Sequence, residues 1–88
     1  MEIKIYGSNE CPYCNKLKSY LSILRIKYDY IDVDLKENES EYFSVVKETN
    51  NTFIPVVKMG EKLYLPERDF NTIPEMVKKI FIFSKKGG

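Results

Sequence analysis

The sharpest constraint on the fold is a change of hydrophobic period that straddles the chain's two cysteines. In "MEIKIYG", Met1, Ile3 and Ile5 alternate with Glu2, Lys4 and Tyr6, the period-2 pattern of a strand, and the run stops at Gly7. From Pro12 to about Arg25, Leu17, Tyr20, Leu21 and Leu24 recur at helical spacing instead. Pro12 suits a first helical position, because the N–H it lacks would have had no intrahelical partner there. The change of period places Cys11 and Cys14, the only cysteines present, at the start of a helix that follows directly on a strand.

The same alternation of periods continues along the chain. "YDYIDVDL" sets Ile31, Val33 and Leu35 on one side of a second strand, and Asn38 followed by Glu41 has the spacing of a capping box for a second helix through about Glu48. A strand, helix, strand unit of this length makes a right-handed crossover, so the first two strands are expected to be parallel neighbours. "IPVVKM" and "KLYL", joined by "GE", read as an antiparallel hairpin. Thr72 and Glu75 form a second capping box with Pro74 in the first turn, and Ile73, Met76, Val77, Ile80 and Phe81 line one face of a last helix. The order β-α-β-α-β-β-α predicts an α/β fold, a four-stranded mixed sheet flanked by three helices. Eighty-eight residues make one domain, expected over 1–84, with 85–88 within "SKKGG" as a frayed tail.

Fourteen basic against thirteen acidic residues give no electrostatic reason to expect nucleic acid or a membrane as partner. No apolar run approaches the roughly 20 residues that span a bilayer, and the first residues lack the plan of a signal peptide, so a cytoplasmic location is expected for a prokaryotic or viral protein. In a reducing compartment a close cysteine pair reads as catalytic or metal-binding rather than as a staple. The absence of histidine removes imidazole from both the proton chemistry and the metal chemistry. Structural zinc needs four ligands and the chain offers two cysteines, so no metal site is expected within one chain. An iron–sulfur cluster shared between two chains, and a pair of inert buried thiols, stand as alternatives.

The redox reading has a physical basis in the helix start. Unpaired N–H groups of a first turn and the positive end of the helix dipole stabilise negative charge on the sulfur of Cys11. Cys14 lies one turn on, aligned with Leu17 and Leu21 on the buried stripe. The first cysteine is then the nucleophile and the second the resolving thiol, close enough to break a mixed disulfide formed at Cys11.

The uninterrupted Cys11-Pro12-Tyr13-Cys14 resembles the Cys-Pro-Tyr-Cys active-site motif of the glutaredoxins, a branch of the thioredoxin fold, and "TFIPVV" resembles the family's Thr-Val-Pro segment. The resemblance covers essentially the whole chain. It implies a thioredoxin-like fold and a thiol-disulfide oxidoreductase with glutathione as reducing co-substrate, no tightly bound cofactor, and disulfide-containing proteins as partners, a ribonucleotide reductase among them. It also implies a monomer. At the site, it implies that Pro55 is cis and faces the cysteines, that Ile54 offers its backbone to the cysteinyl part of glutathione, and that Pro12 and Tyr13 flank the substrate thiol. Arg68 or Lys16 would meet a glutathione carboxylate, and Asp69 falls in the acidic segment that holds the γ-glutamyl end. Two positions depart from the family pattern: Ser8 stands where many members carry Lys, and Leu65-Pro66 where they carry Gly-Gly. A close variant with the same dithiol would draw its electrons from thioredoxin reductase.

Overall fold

A computed structural model describes residues 2–86. The elements are β1 (Ile3–Gly7), α1 (Pro12–Ile23), β2 (Asp29–Asp32), α2 (Glu39–Thr49), β3 (Val56–Met59), β4 (Lys62–Tyr64) and α3 (Ile73–Lys86), with a single 3-10 turn at Lys36–Asn38. The strands form one sheet in the order β2-β1-β3-β4. β1 pairs parallel with β2, placing Ile5 beside Tyr30 and Gly7 beside Asp32. It pairs antiparallel with β3, and β3 pairs antiparallel with β4. The mixed sheet and three helices follow the order that the periodicity predicts.

Both faces of the sheet are covered. Ile3, Ile5, Val57 and Met59 point to one side, where Leu17 and Leu21 of α1 meet Ile73, Met76, Val77 and Ile80 of α3. On the other side Tyr6, Val56 and Leu63 pack with Val45 of α2, flanked by Ile31, Val33 and Tyr42. Tyr6 alternates with the apolar residues of β1 yet is buried, because α2 covers the face it occupies. Its hydroxyl donates to Glu41 Oε2 at 2.7 Å, which satisfies the one polar atom it brings into the interior.

Four local expectations are corrected by the structure. α1 stops at Ile23, and Leu24 is its exposed C-cap rather than part of the buried stripe. Arg25 then turns into the left-handed region and Ile26 N–H donates back to Leu21 O, which closes the helix two residues before the end near Arg25 that the leucine spacing implies. Leu35 leaves the strand pattern, exposed at the start of the 3-10 turn, because β2 ends at Asp32. Asn38 does not cap α2 through its side chain; its amide donates to Asp32 O at 2.9 Å, tying the helix start to the end of β2. Phe81 lies at the edge of the α3 stripe and is more than a third exposed.

The capping role of Thr72 holds: Glu75 N–H donates to its hydroxyl at 3.2 Å, while Glu75 Oε1 accepts from Asn71 N–H rather than from Thr72 itself. Lys85 and Lys86 belong to α3, where they complement the negative end of its dipole, so these two residues are helical rather than part of the expected frayed tail. Residues 87 and 88, and the place of Met1 in the first strand, lie outside the described residues.

Candidate active site

β1 delivers the chain to a tight loop at Ser8–Glu10, and hydrogen bonds hold that loop from two directions. Ser8 Oγ accepts from Glu10 N–H and donates to the Asp34 carboxylate, while Cys11 N–H donates to Ser8 O at 3.1 Å. Asp34 is itself placed by the turn after β2, its N–H donating to Asp32 Oδ1 and Val33 N–H to Gly7 O. Ser8, buried, thus has a structural partner in this chain.

Cys11 is the N-cap of α1, with extended backbone, and Pro12 is the first helical residue. The Cys11 sulfur accepts a hydrogen bond from Cys14 N–H at 3.2 Å, one of the first-turn donors that have no partner within the helix. The geometry that stabilises a thiolate is therefore in place. Cys14 lies at the bottom of the same turn and is fully buried. Burial pushes its thiol up to about 12, with the neighbouring Cys11 sulfur acting in the same direction. Both cysteines are free thiols, one partly open to solvent and one enclosed.

The close approach that encloses Cys14 depends on Gly7. A Cβ there would lie 2.7 Å from Tyr30 Oη and 2.9 Å from Cys14 Sγ, so no side chain fits at that position without displacing one of them. Neither Gly7 nor Tyr30 stands out from the sequence, because strand-ending glycines and strand tyrosines are common; only the parallel pairing of β1 with β2 brings them under the sulfur.

Beside the motif runs a groove of about 540 Å³. Tyr13 and Lys16 of α1 form one wall, Phe53, Ile54 and Pro55 another, and Pro66, Glu67 and the residues leading into α3 the third. The Ile54-Pro55 peptide bond is cis. The groove thus gathers Tyr13, Lys16, Ile54 and Pro55 from the residues expected at the site. Tyr13 and Phe53 stand 65% and 64% exposed, an aromatic pair with no core to fill and a surface open to a partner. Phe53 went unassigned in the sequence, although an aromatic two residues before the Pro55 segment was a readable signal.

Arg68 and Asp69 do not line the groove. The Arg68 guanidinium donates to Asp69 Oδ2 at 2.9 Å and to Leu63 O at 2.8 Å, and Asp69 Oδ2 also accepts from Leu65 N–H at 2.8 Å. Burial opposes the charge on Asp69, but the hydrogen bonds from Arg68 and the Leu65 amide outweigh it and hold the carboxyl below its usual range. These two residues clamp the turn after β4, with Leu65 buried beneath it. Glu67 adopts a left-handed backbone there at φ 71, and its N–H donates to Phe70 O. The segment where the family pattern has Gly-Gly is therefore a closed turn in which Arg68 and Asp69 bond to each other and to nearby backbone, while Glu67 lines the groove.

Comparison with known proteins agrees with this architecture. The glutaredoxin family profile matches residues 3–64. A candidate glutaredoxin of Mycobacterium tuberculosis is 35% identical over 69 residues, covering 76% of this chain and 81% of the relative. A glutaredoxin-like 8.6 kDa protein of Clostridium pasteurianum is 32% identical over 57 residues, covering 65% of this chain and 73% of its own length. Among solved structures, a glutaredoxin of Archaeoglobus fulgidus superposes with a TM-score of 0.69 at 24% identity, over 91% of this chain and 85% of the other. The glutaredoxin-like NrdH-redoxin of Escherichia coli, described as having a thioredoxin-like activity profile, superposes with a TM-score of 0.67 at 24% identity, over 90% and 93%. With a helix-start dithiol, a cis-proline groove and a family profile spanning most of the fold, this chain belongs to the glutaredoxin family.

Proposed function

We propose that the chain is a glutathione-linked thiol-disulfide oxidoreductase that reduces protein disulfides and glutathione-mixed disulfides through a Cys11/Cys14 cycle. One observation carries the reading: the accessible Cys11 sulfur accepts the Cys14 amide at the helix start, while the second sulfur lies enclosed one turn below. The Cys11 thiolate attacks a substrate disulfide; its electron pair forms the new S–S bond and the substrate's other sulfur leaves as a thiolate. Cys14, as thiolate, then attacks Cys11, releasing the second substrate thiol and leaving a Cys11–Cys14 disulfide. Two electrons pass from the dithiol to the substrate, and two glutathione molecules return them. Tyr13, Ile54 and Pro55 present a partly apolar wall for the substrate, and Lys16 supplies a cation for a carboxylate.

A specific observation favours a second reductant. Arg68 and Asp69 are committed to the turn, and the chain carries Leu65-Pro66 in place of the family's Gly-Gly, so Lys16 is the groove's cation among the described residues. In this reading the same dithiol takes electrons from thioredoxin reductase. A coupled assay separates the two: NADPH consumption through glutathione with glutathione reductase is compared with consumption through thioredoxin reductase, on one mixed-disulfide substrate. Fast turnover with glutathione supports the first reading, turnover with thioredoxin reductase alone supports the second, and turnover with neither removes both.

A further inference from the structure

We propose that Tyr30 assists the resolving step, its buried hydroxyl donating a hydrogen bond to the Cys14 sulfur as that sulfur becomes a thiolate. Tyr30 Oη is shielded from solvent and has no hydrogen-bond partner among the described residues. Buried polar atoms are nearly always paired, so an orphaned phenol needs an explanation. Its position supplies one. The Cβ that Gly7 lacks would lie within 3 Å of both Tyr30 Oη and Cys14 Sγ, which brings the phenol and the resolving sulfur to the same space beside one glycine.

The direction of the bond follows from the chemistry of each group. Burial, and then the charge that Cys14 itself would carry, hold the phenol above its ordinary range, so Tyr30 stays protonated and acts as a donor. Lys18 Nζ lies 4.1 Å from the centre of its ring, a cation that strengthens the O–H as a donor. Cys14 is short of thiolate at neutral pH for the reason given above, and the attack on Cys11 requires the anion. The other groups acting on this sulfur are the Cys11 sulfur on α1, the backbone of Ser8 and of Cys14 itself, which favour the anion, and Tyr42 on α2, while Asp32 and Tyr28 act on Tyr30. A Cys11 thiolate would oppose a charge on Cys14, Asp32 helps keep the Tyr30 phenol protonated, and the Tyr42 hydroxyl is already given to Thr52 O. Tyr30 is then the O–H free to meet the anion among the described residues.

In the resolving step the Cys14 proton leaves to solvent and the thiolate attacks the Cys11 sulfur. The S–S bond to the substrate breaks as the Cys11–Cys14 bond forms, and the departing thiolate takes up a proton. Tyr30 keeps its own proton throughout and contributes charge stabilisation alone.

The inference rests on the dithiol reading above, and the test keeps the two apart. Reduced protein is mixed rapidly with an aromatic disulfide whose thiol is coloured: attack by Cys11 releases the first equivalent and resolution by Cys14 the second. In Tyr30→Phe the first phase should be unchanged, the second about tenfold slower, and its pH–rate profile displaced to higher pH, the size expected for losing one hydrogen bond to a charged group. A second phase with unchanged rate and profile overturns the proposal. A parallel measurement does not need turnover: in a Cys11→Ser background, the Cys14 thiolate is titrated by its ultraviolet absorbance with and without Tyr30→Phe. An upward displacement on losing the hydroxyl supports the proposal, and coincident curves refute it. If the wild type shows no second phase, the resolving role of Cys14 falls, while the titration still decides whether Tyr30 acts on that sulfur.

Discussion

Two identical thiols one helical turn apart behave differently here because one sulfur reaches solvent and the other does not. Cys11 is partly open and Cys14 is enclosed between α1, Gly7 and Tyr30. Native protein at neutral pH should therefore take up one equivalent of an alkylating agent, at Cys11, and a second only on unfolding; mass spectrometry of the labelled peptides checks the assignment. Cys11→Ser should abolish all disulfide exchange. Cys14→Ser should retain one-thiol deglutathionylation and lose reduction of protein disulfides, so activity surviving in the Cys11 variant would reverse the two roles. Gly7 carries a different kind of residue-scale constraint. Gly7→Ala forces a methyl to within 3 Å of Cys14 Sγ and Tyr30 Oη, an overpacking that should cost about 1–3 kcal/mol in chemical denaturation. Of these four residues the sequence made Cys11 and Cys14 legible, because Cys-x-x-Cys at a helix start is a local pattern. Gly7 and Tyr30 were not legible as site residues, since they acquire their meaning only across the β1–β2 pairing.

At the scale of elements, the start of α1 and the turn between β4 and α3 do different work. The first presents a sulfur to first-turn N–H groups. The second closes on itself through Asp69, which accepts from both the Leu65 amide and Arg68. Asp69→Asn should destabilise the fold by about 1–2 kcal/mol at neutral pH, most of it through the Leu65 amide bond, because the Arg68 guanidinium is over half exposed and its pairing is screened. The sign of the pH dependence follows from a depressed carboxyl. Its stabilisation is complete above the unfolded value, near 3.8, and declines as pH falls through the lower folded value. The gap between wild type and variant should therefore narrow in acid, which denaturation at pH 7 and pH 3 would show. Helix starts were legible where capping is local: Thr72 meets Glu75 N–H as its spacing implies. They were not legible at Asn38, whose amide is drawn to the distant β2 carbonyl of Asp32. Arg68 misled for the same reason, since charge at a given distance from Pro55 does not say whether the guanidinium faces a groove or its own turn.

Across the whole molecule, stability rests on two apolar layers either side of the sheet, and these should respond differently from the groove. Met76, fully buried between α3 and the sheet, should cost about 2–5 kcal/mol when changed to Ala. Phe53→Ser should change the denaturation midpoint little, since that ring is largely exposed, and should instead weaken activity on protein disulfides. A Phe53 variant as destabilised as Met76→Ala would show that the aromatic belongs to the core. By itself the sequence determined the order of elements, the parallel β1–β2 and antiparallel β3–β4 pairings, the place of the dithiol and the family resemblance, whereas the β1–β3 pairing came from the tertiary structure. Hydrophobic period, turn residues and caps are all written within a few neighbours along the chain. The tertiary structure alone decided which polar groups are spent internally and which remain for a partner. Ser8 went to Asp34, Arg68 to Leu63 and Asp69, while Lys16 and Tyr13 kept their place at the groove. It also left the Tyr30 hydroxyl unpaired under Cys14. Such outcomes depend on residues far apart in the chain competing for the same hydrogen bonds, and no local pattern records who wins.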